Sequence, residues 1–429
     1  MRIVRRTLGL GLALTLCAAS LGAQFDPDAY YVSVPFTTNP GIYEVNATTG
    51  VATPFAVPLG IPHYGWFGND GNFYVPDRAI PGVLKILPDG TVEILSQGGH
   101  FVFPVTCIPN PADDAWTVAD MGSHKILRLD YDGTQTLLHD ATSTGGLLDW
   151  PDGMAYDDDG NLFVANLGNN KIIKIDTAGN ATVFADDPNL ISQPGAVLID
   201  GGGNLFVANY DLQTIARFRL DTGEGEVFAG PDSTKMATPN DMKFSRKGGI
   251  LVSGRNGRVT HVDALGNLTV MAENPQLSEL DGVSVLSDDT VCSGRFTNYG
   301  TGKVGSGGFM PQFRTLFAPC SGHTIALEFR DFLGGTQALL LVSGAPLENG
   351  VASFVGAPLL IDPGVPPFLA IPLFLPGSGP GEGDLTLQFQ VPIEAGLEGL
   401  KLYHQAFALD TGVTFHVSAT NGMLETWGL

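Results

Sequence analysis

The sequence predicts an all-β chain: a six-bladed β-propeller followed by a small C-terminal β-sandwich. Three observations carry that prediction. A strand-like Phe-x-Val motif returns with a period of roughly 40 residues over 30–308. Glycine and proline are frequent, 56 and 29 of 429 residues, without a collagen-like period, so turns are many. After a Gly-rich stretch at 302–312 the motif stops and a different strand alternation begins.

In chain order, MRIVRRTLGLGLALTLCAASLGAQ comes first, with Arg2, Arg5 and Arg6 ahead of a short apolar stretch and small residues. It is expected to be an export signal over 1–23, cut after Ala23. Leu16 directly before Cys17 speaks against lipid attachment, which wants a small residue there. The mature chain is therefore expected to be secreted, periplasmic or at the cell surface. No later segment is apolar enough for a membrane span. The predicted domains are the propeller at 24–308 and the sandwich at 309–429.

The motif reads YYVSV at Tyr30, NFYVPD at Asn72, AWTVAD at Ala115, NLFVAN at Asn161 and Asn204, GILVSG at Gly249 and TVCSG at Thr290. A second apolar strand such as KIIKID, a turn and a third strand such as TVFA follow it. A leading strand begins at Pro62, Pro104, Pro151, Pro194, Pro239 and Leu280, which makes four strands per unit and six units. The half-unit at 30–56 is expected to supply the outer strands that close the ring with the last blade; if it forms a blade of its own, the count is seven. The turns NDGN, DDDGN and DGGGN resemble calcium loops in composition but read as hairpin turns.

Each innermost strand of a propeller starts at one mouth of the central channel, and the second strand returns to end there. At 12 residues before the motif valine stand His63, Asp152, Gly195 and Asn240. Blades two and six place Val105 and Asp281 there after one-residue length changes. A second ring, where the returning strands end, holds Asp77, Asp120, Asn166 and Asn209, with Arg255 and Arg295 one residue further on. Repetition is packing, and variation at the mouth is how one scaffold carries one asymmetric site. Carboxylates and amide oxygens converging there suit a divalent metal such as calcium, with Asp152, Asn240, Asp281 and Asp120 as candidate ligands and Asp152 as catalytic base. His63, Trp150, Asn166, Asn209, Arg255 and Arg295 are candidate ligand-binding residues, with Tyr64, Phe101, Phe103 and Tyr210 near the same mouth. Capping of strand ends is the competing role for each Asp and Asn.

The formal net charge of −22 argues against nucleic acid as a partner. A small molecule or carbohydrate at the mouth is the expected ligand. Three cysteines, Cys107, Cys292 and Cys320, follow the signal and allow at most one internal bridge. G-x-S-x-G, H-E-x-x-H and a phosphate-binding glycine loop are absent.

WPDGMAYDDDGNLFVANLGNNKIIKID and TPNDMKFSRKGGILVSG resemble repeats of the senescence marker protein/gluconolactonase/regucalcin-like family, and more generally NHL-repeat propellers. The resemblance covers about two thirds of the chain. It implies a six-bladed propeller that binds one divalent metal, usually calcium, at the mouth and hydrolyses lactones, with Asn240 a ligand and Asp152 a ligand or acid/base. His63 stands where the family has a glutamate, and Gly195 offers no donor. The alternative is a non-catalytic NHL-type recognition propeller for a sugar, peptide or surface ligand. A third reading, from His63, His100 and His124, is an enzyme similar to virginiamycin B lyase.

Past 312, Ile325, Leu327 and Phe329 alternate with Ala326, Glu328 and Arg330, and Leu385, Leu387, Phe389 and Val391 with Thr386, Gln388 and Gln390. This is the pattern of a β-sandwich. It resembles C-terminal modules of large secreted bacterial proteins, which implies surface association rather than catalysis.

Overall fold

The computed structural model of the chain describes residues 24–245, 248–286, 295–317, 319–320, 322–347, 353–354, 357–392, 397 and 399–428. The expected export signal at 1–23 and the TVCSG motif at 290–294 lie outside them. No helix among the described residues is long and apolar enough to cross a membrane.

The described residues form six four-stranded antiparallel sheets that follow the repeats. Blade I is Trp66–Phe67, Phe73–Asp77, Gly82–Ile86 and Val92–Gln97. Blade II is Pro104–Pro109, Trp116–Asp120, Lys125–Leu129 and Gln135–Asp140. Blades III, IV and V have innermost strands Pro151–Tyr156, Pro194–Ile199 and Pro239–Phe244. Blade VI joins the two ends of the propeller: Val283–Val285 is innermost and pairs with Ala29–Val34, which leads to Gly41–Asn46 and Ala52–Ala56. Each innermost strand packs on the next, and Val283–Val285 packs on that of blade I, so the circuit is closed.

Burial falls outward along each blade. In blade III Leu162–Asn166 is wholly buried, Lys171–Ile175 buries its isoleucines, and Ala181–Ala185 is half-exposed. Apolar side chains of neighbouring blades interdigitate: Val105, Ala119 and Ile126 of blade II meet Met154, Val164 and Ile173 of blade III. A fully buried aliphatic side chain contributes about 1.5–3 kcal/mol, so these seams hold the ring together. The Asp-Gly turns are hairpin turns: Asp157, Asp176, Asp200 and Asp263 each accept hydrogen bonds from the asparagine four residues on.

Two backbone features recur where the innermost strands begin. The ladder to the second strand shifts register just after the leading proline in blades II, III, IV and V. Such bulges re-aim side chains, here at the channel mouth. Trp150, Gln193 and Thr238, each before its proline, have φ of 50°, 47° and 47°. The left-handed backbone at Trp150 therefore belongs to the entry loop of the repeat and is no special strain at one site.

The C-terminal part has one sheet of Arg295–Tyr299, Gly422–Thr426, Lys401–Leu409, Thr336–Ser343 and Phe368–Leu375, with Val417–Ala419 beside it, and another of Gln312–Leu316, Thr324–Leu333 and Pro380–Gln390. Phe313, Leu327 and Phe329 of the second share a core with Leu340, Ala406 and Met423 of the first. Arg295–Tyr299 pairs with Gly422–Thr426, so this part draws on residues before 309, ahead of the expected boundary. Cys320 is disulfide-bonded, and Cys107 is a buried free thiol. Both faces of Thr324–Leu333 are covered. Ile325 and Ala326 join a core with Phe206, Phe317 and Met242, and Phe206 stacks on Phe317 at 5.8 Å. Beside it Glu328, buried, takes Arg217 of blade IV at 3.0 Å and Arg330 at 3.1 Å.

Candidate functional site

The residues aligned at the mouth come together. Asn240 Nδ2 donates to the Asp281 carboxylate, and His63 Nδ1 pairs with the other oxygen of that carboxylate. Tyr64 Oη donates to Asn240 Oδ1 at 3.1 Å and lies 3.5 Å from Asp152 Oδ2. Arg255 Nη2 stands 3.6 Å from Asp281. His63, Asp152, Asn240 and Asp281 are all buried, at 5%, 5%, 3% and 1% exposure. One cluster thus gathers side chains from blades I, III, V and VI, each from the start of its blade's innermost strand. Gly195 of blade IV lies close to the Asn240 backbone, whose carbonyl oxygen would be 3.0 Å from a Cβ there.

Charge in this cluster is unevenly held. Burial, then the Asp281 and Asp241 carboxylates, pushes the Asp152 carboxyl well above its ordinary value. Burial pushes Asp281 up too, but His63, Arg255 and Asn240 more than offset it and the carboxyl sits below its ordinary value. Burial and Asp152 raise the Tyr64 phenol, which stays a neutral donor. The shift favours the protonated form of Asp152, the residue expected to act as base. Asp152 Oδ1 and His63 Nε2 are buried without a hydrogen-bond partner, as is Arg255 Nε.

The second ring does different work. Asp120 accepts Val102 N, Phe103 N and Ser123 N through its two oxygens, at 2.7, 2.9 and 2.8 Å. Asp77 does the same for Gly60, Ile61 and Ala79. Asn166 donates to Leu147 O, and Asn209 donates to Leu190 O while accepting from Ser192 N. These side chains pin the loop that enters their own blade. Asp120 is thus taken up by amides of its own loop rather than joined to Asp152, Asn240 and Asp281, and Asn166 and Asn209 likewise bond to the loops of their own blades. Arg295 is elsewhere altogether: it lies on the C-terminal sheet and pairs with Asp158 in the hairpin turn of blade III at 3.1 Å. Trp150 is on the rim, 49% exposed, and its backbone N–H donates to His124 Nδ1 at 3.3 Å.

The sequence reading missed the roles of three residues. Tyr64 was placed near the mouth only as an aromatic; it is the bridge between Asp152 and Asn240. Asp241, next to Asn240, accepts Lys243 at 2.9 Å and Val283 N at 3.1 Å beneath the cluster. Arg78 follows Asp77 as Arg255 follows Gly254, and that register was readable. Its guanidinium lies 4.0 Å from the Phe103 ring centre and 5.3 Å from that of Phe36. Inward of Tyr64 a cavity of about 360 Å³ follows the innermost strands down the channel, past Met154, Met242 and Lys243.

Asp152, Asn240 and Asp281 fit a hard divalent cation in donor chemistry, as two carboxylates and an amide oxygen, one carboxylate oxygen being buried and unpaired. Among the described residues no three His, Cys, Asp or Glu form a metal-holding group, so the amide of Asn240 is indispensable to such a site.

Residues 63–192 match the SMP-30/Gluconolactonase/LRE-like region. The matched stretch runs from His63 through blade III to the loop entering blade IV and includes Asp152. Asn240 and Asp281 fall beyond it and join the site through the ring. No curated protein matches the chain in sequence. Among solved structures the chain is similar to one in a nidogen/laminin complex, at 16% identity over 60% of this chain and 98% of that one, TM-score 0.49. It is also similar to a gluconolactonase from Xanthomonas campestris, at 17% over 61% and 89%, TM-score 0.45. A virginiamycin B lyase from Staphylococcus aureus is similar at 15% over 60% and 88%, TM-score 0.44.

Proposed function

We propose that this lactonase-like propeller is an exported hydrolase that opens lactones at its mouth, with a calcium-type divalent cation at Asp152, Asn240 and Asp281. One observation carries the reading: four side chains from four blades, at one repeat position, meet in a single buried cluster whose Asp152 Oδ1 and His63 Nε2 have no partner. When bound, the cation supplies Lewis acidity toward the carbonyl oxygen or the attacking water. The chain supplies the rest. Tyr64 fixes the Asn240 amide so that its Nδ2 faces Asp281 and its Oδ1 stays within the cluster. Asp281 holds His63 by Nδ1, which leaves Nε2 to take a proton from water and return it to the leaving alkoxide. Burial of the cluster keeps bulk water from competing. The C-terminal part, locked to blade IV, would serve surface association.

The test is hydrolysis of a panel of aldono- and acyl-lactones by the full chain, before and after chelation and on return of calcium. Activity lost on chelation and restored by calcium supports the reading. Activity indifferent to chelation removes the cation from it, and no hydrolysis of any lactone removes the hydrolase. The recognition reading gains from the exposed Trp150 on the rim; retained ligand binding without turnover would favour it.

A further inference from the structure

Over the mouth lies an arc of cations on aromatic rings that the hydrolytic cluster does not use. Arg78 and Arg255 both stand over the ring of Phe36, at 5.3 and 5.5 Å, and Arg255 also stands over Tyr210 at 4.9 Å. Arg78, Tyr210 and Arg255 occupy the same repeat position, one residue past the returning strand. Among the described residues Arg78 makes no ion pair and no side-chain hydrogen bond. Arg255 has one carboxylate within reach, Asp281, already taken by His63 and Asn240, and its Nε is buried without an acceptor. Two guanidinium groups, one unpaired and one underpaired, thus face one opening in a chain of net charge −22.

Each guanidinium packs against aromatic rings, and a guanidinium short of acceptors matches a planar carboxylate in the paired geometry favoured by arginine. Two guanidinium groups thus stand against the single Asp281 carboxylate. We infer that Arg78 and Arg255 form a carboxylate subsite at the mouth, and that the ligand is a small acid. Resting on the hydrolase reading above, this makes the substrate class acidic lactones, those with a free carboxylate beside the ring ester.

The experiment uses the full chain and glucarate as probe, with titration calorimetry at low salt. Glucarate is expected to bind, to weaken as salt rises, and to weaken at least 10-fold in Arg78→Gln while the melting temperature holds. Arg78→Lys, which keeps the charge and loses the fork, should also weaken binding and covers the case where the glutamine variant fails to fold. Glucarolactone should be hydrolysed with a higher kcat/KM than neutral gluconolactone, and only the former should suffer from Arg78→Gln. Equal glucarate binding by wild type and both variants, or inorganic phosphate binding as well as glucarate, overturns the inference. Hydrolysis that ignores the substrate carboxylate and Arg78 overturns the inference and leaves the hydrolase standing. Glucarate binding that depends on Arg78 without hydrolysis of any lactone does the reverse.

Discussion

His63 Nδ1 of blade I meets the Asp281 carboxylate of blade VI across the seam where the ring closes, which orients one imidazole nitrogen and leaves the other without a partner. A histidine at the place where the family resemblance implies glutamate thus keeps a proton-handling group at the mouth. His63→Gln keeps a polar side chain but cannot carry a proton at neutral pH. Lactone hydrolysis should fall by about 10²-fold or more, in kcat rather than KM. A change confined to KM would assign His63 to binding.

Asp152 carries a carboxyl raised well above its ordinary value by burial and by neighbouring carboxylates. Its unfolded counterpart ionises near pH 3.9, so stability falls as pH rises from there through the folded value. In chelated buffer near neutral pH, Asp152→Asn should therefore raise the melting temperature, on the order of 2 °C for each 1 kcal/mol relieved. The same variant should blunt the rise in melting temperature that calcium gives wild type. A lower melting temperature in chelator would contradict the assignment.

Asp120 is the contrasting case. Asp120→Ala leaves the part-buried amides of Val102, Phe103 and Ser123 without their acceptor, at a cost of about 1–3 kcal/mol. The calcium-induced shift should stay at its wild-type size in thermal melts. A lost shift would return Asp120 to the cation site.

Glu328 is held below its ordinary value: burial pushes it up, and Arg217 and Arg330 more than offset that. Its contribution is present above the unfolded value of about 4.3 and is lost as pH falls through the lower folded value. Glu328→Gln should thus cost stability at pH 7 and lose less on acidification than wild type does, as read by denaturant melts at both pH values. Equal losses on acidification would mean the buried pair carries no linked proton.

Cleavage at 302–312 should not free two separate bodies. Arg295–Tyr299 stays paired with Gly422–Thr426, and the Arg217–Glu328 contact spans the cut. The nicked chain should elute as one particle in size-exclusion chromatography. Separate elution would show the interface to be weak.

The blades were readable because their cause is local: a proline, a spaced valine and an Asp-Gly turn repeat with every unit. The mouth positions followed from that spacing, and His63, Asp152, Asn240 and Asp281 do meet. What stayed unread depends on contacts between units. Whether Asp120 faces the axis or its own loop is decided by backbone amides of that loop, which composition does not mark. Arg295 was aligned on a motif whose place beside Val283–Val285 is taken by Ala29–Val34, a pairing between distant ends of the chain. Glu328, on what alternation makes the polar face, is buried because blade IV covers it.

Blade VI, assembled from both ends of the propeller, has a consequence for how the site comes into being. Asp281 sits just ahead of Val283–Val285, so during synthesis the cluster stays incomplete until the last propeller strand has emerged and met a partner made at the start. Anything bound by Asp281 together with Asn240 and Asp152 then acts as a clasp on that joint. Amides of Ala29–Val34, far from the mouth in sequence, become the reporters: their hydrogen exchange should slow when the clasp is fastened.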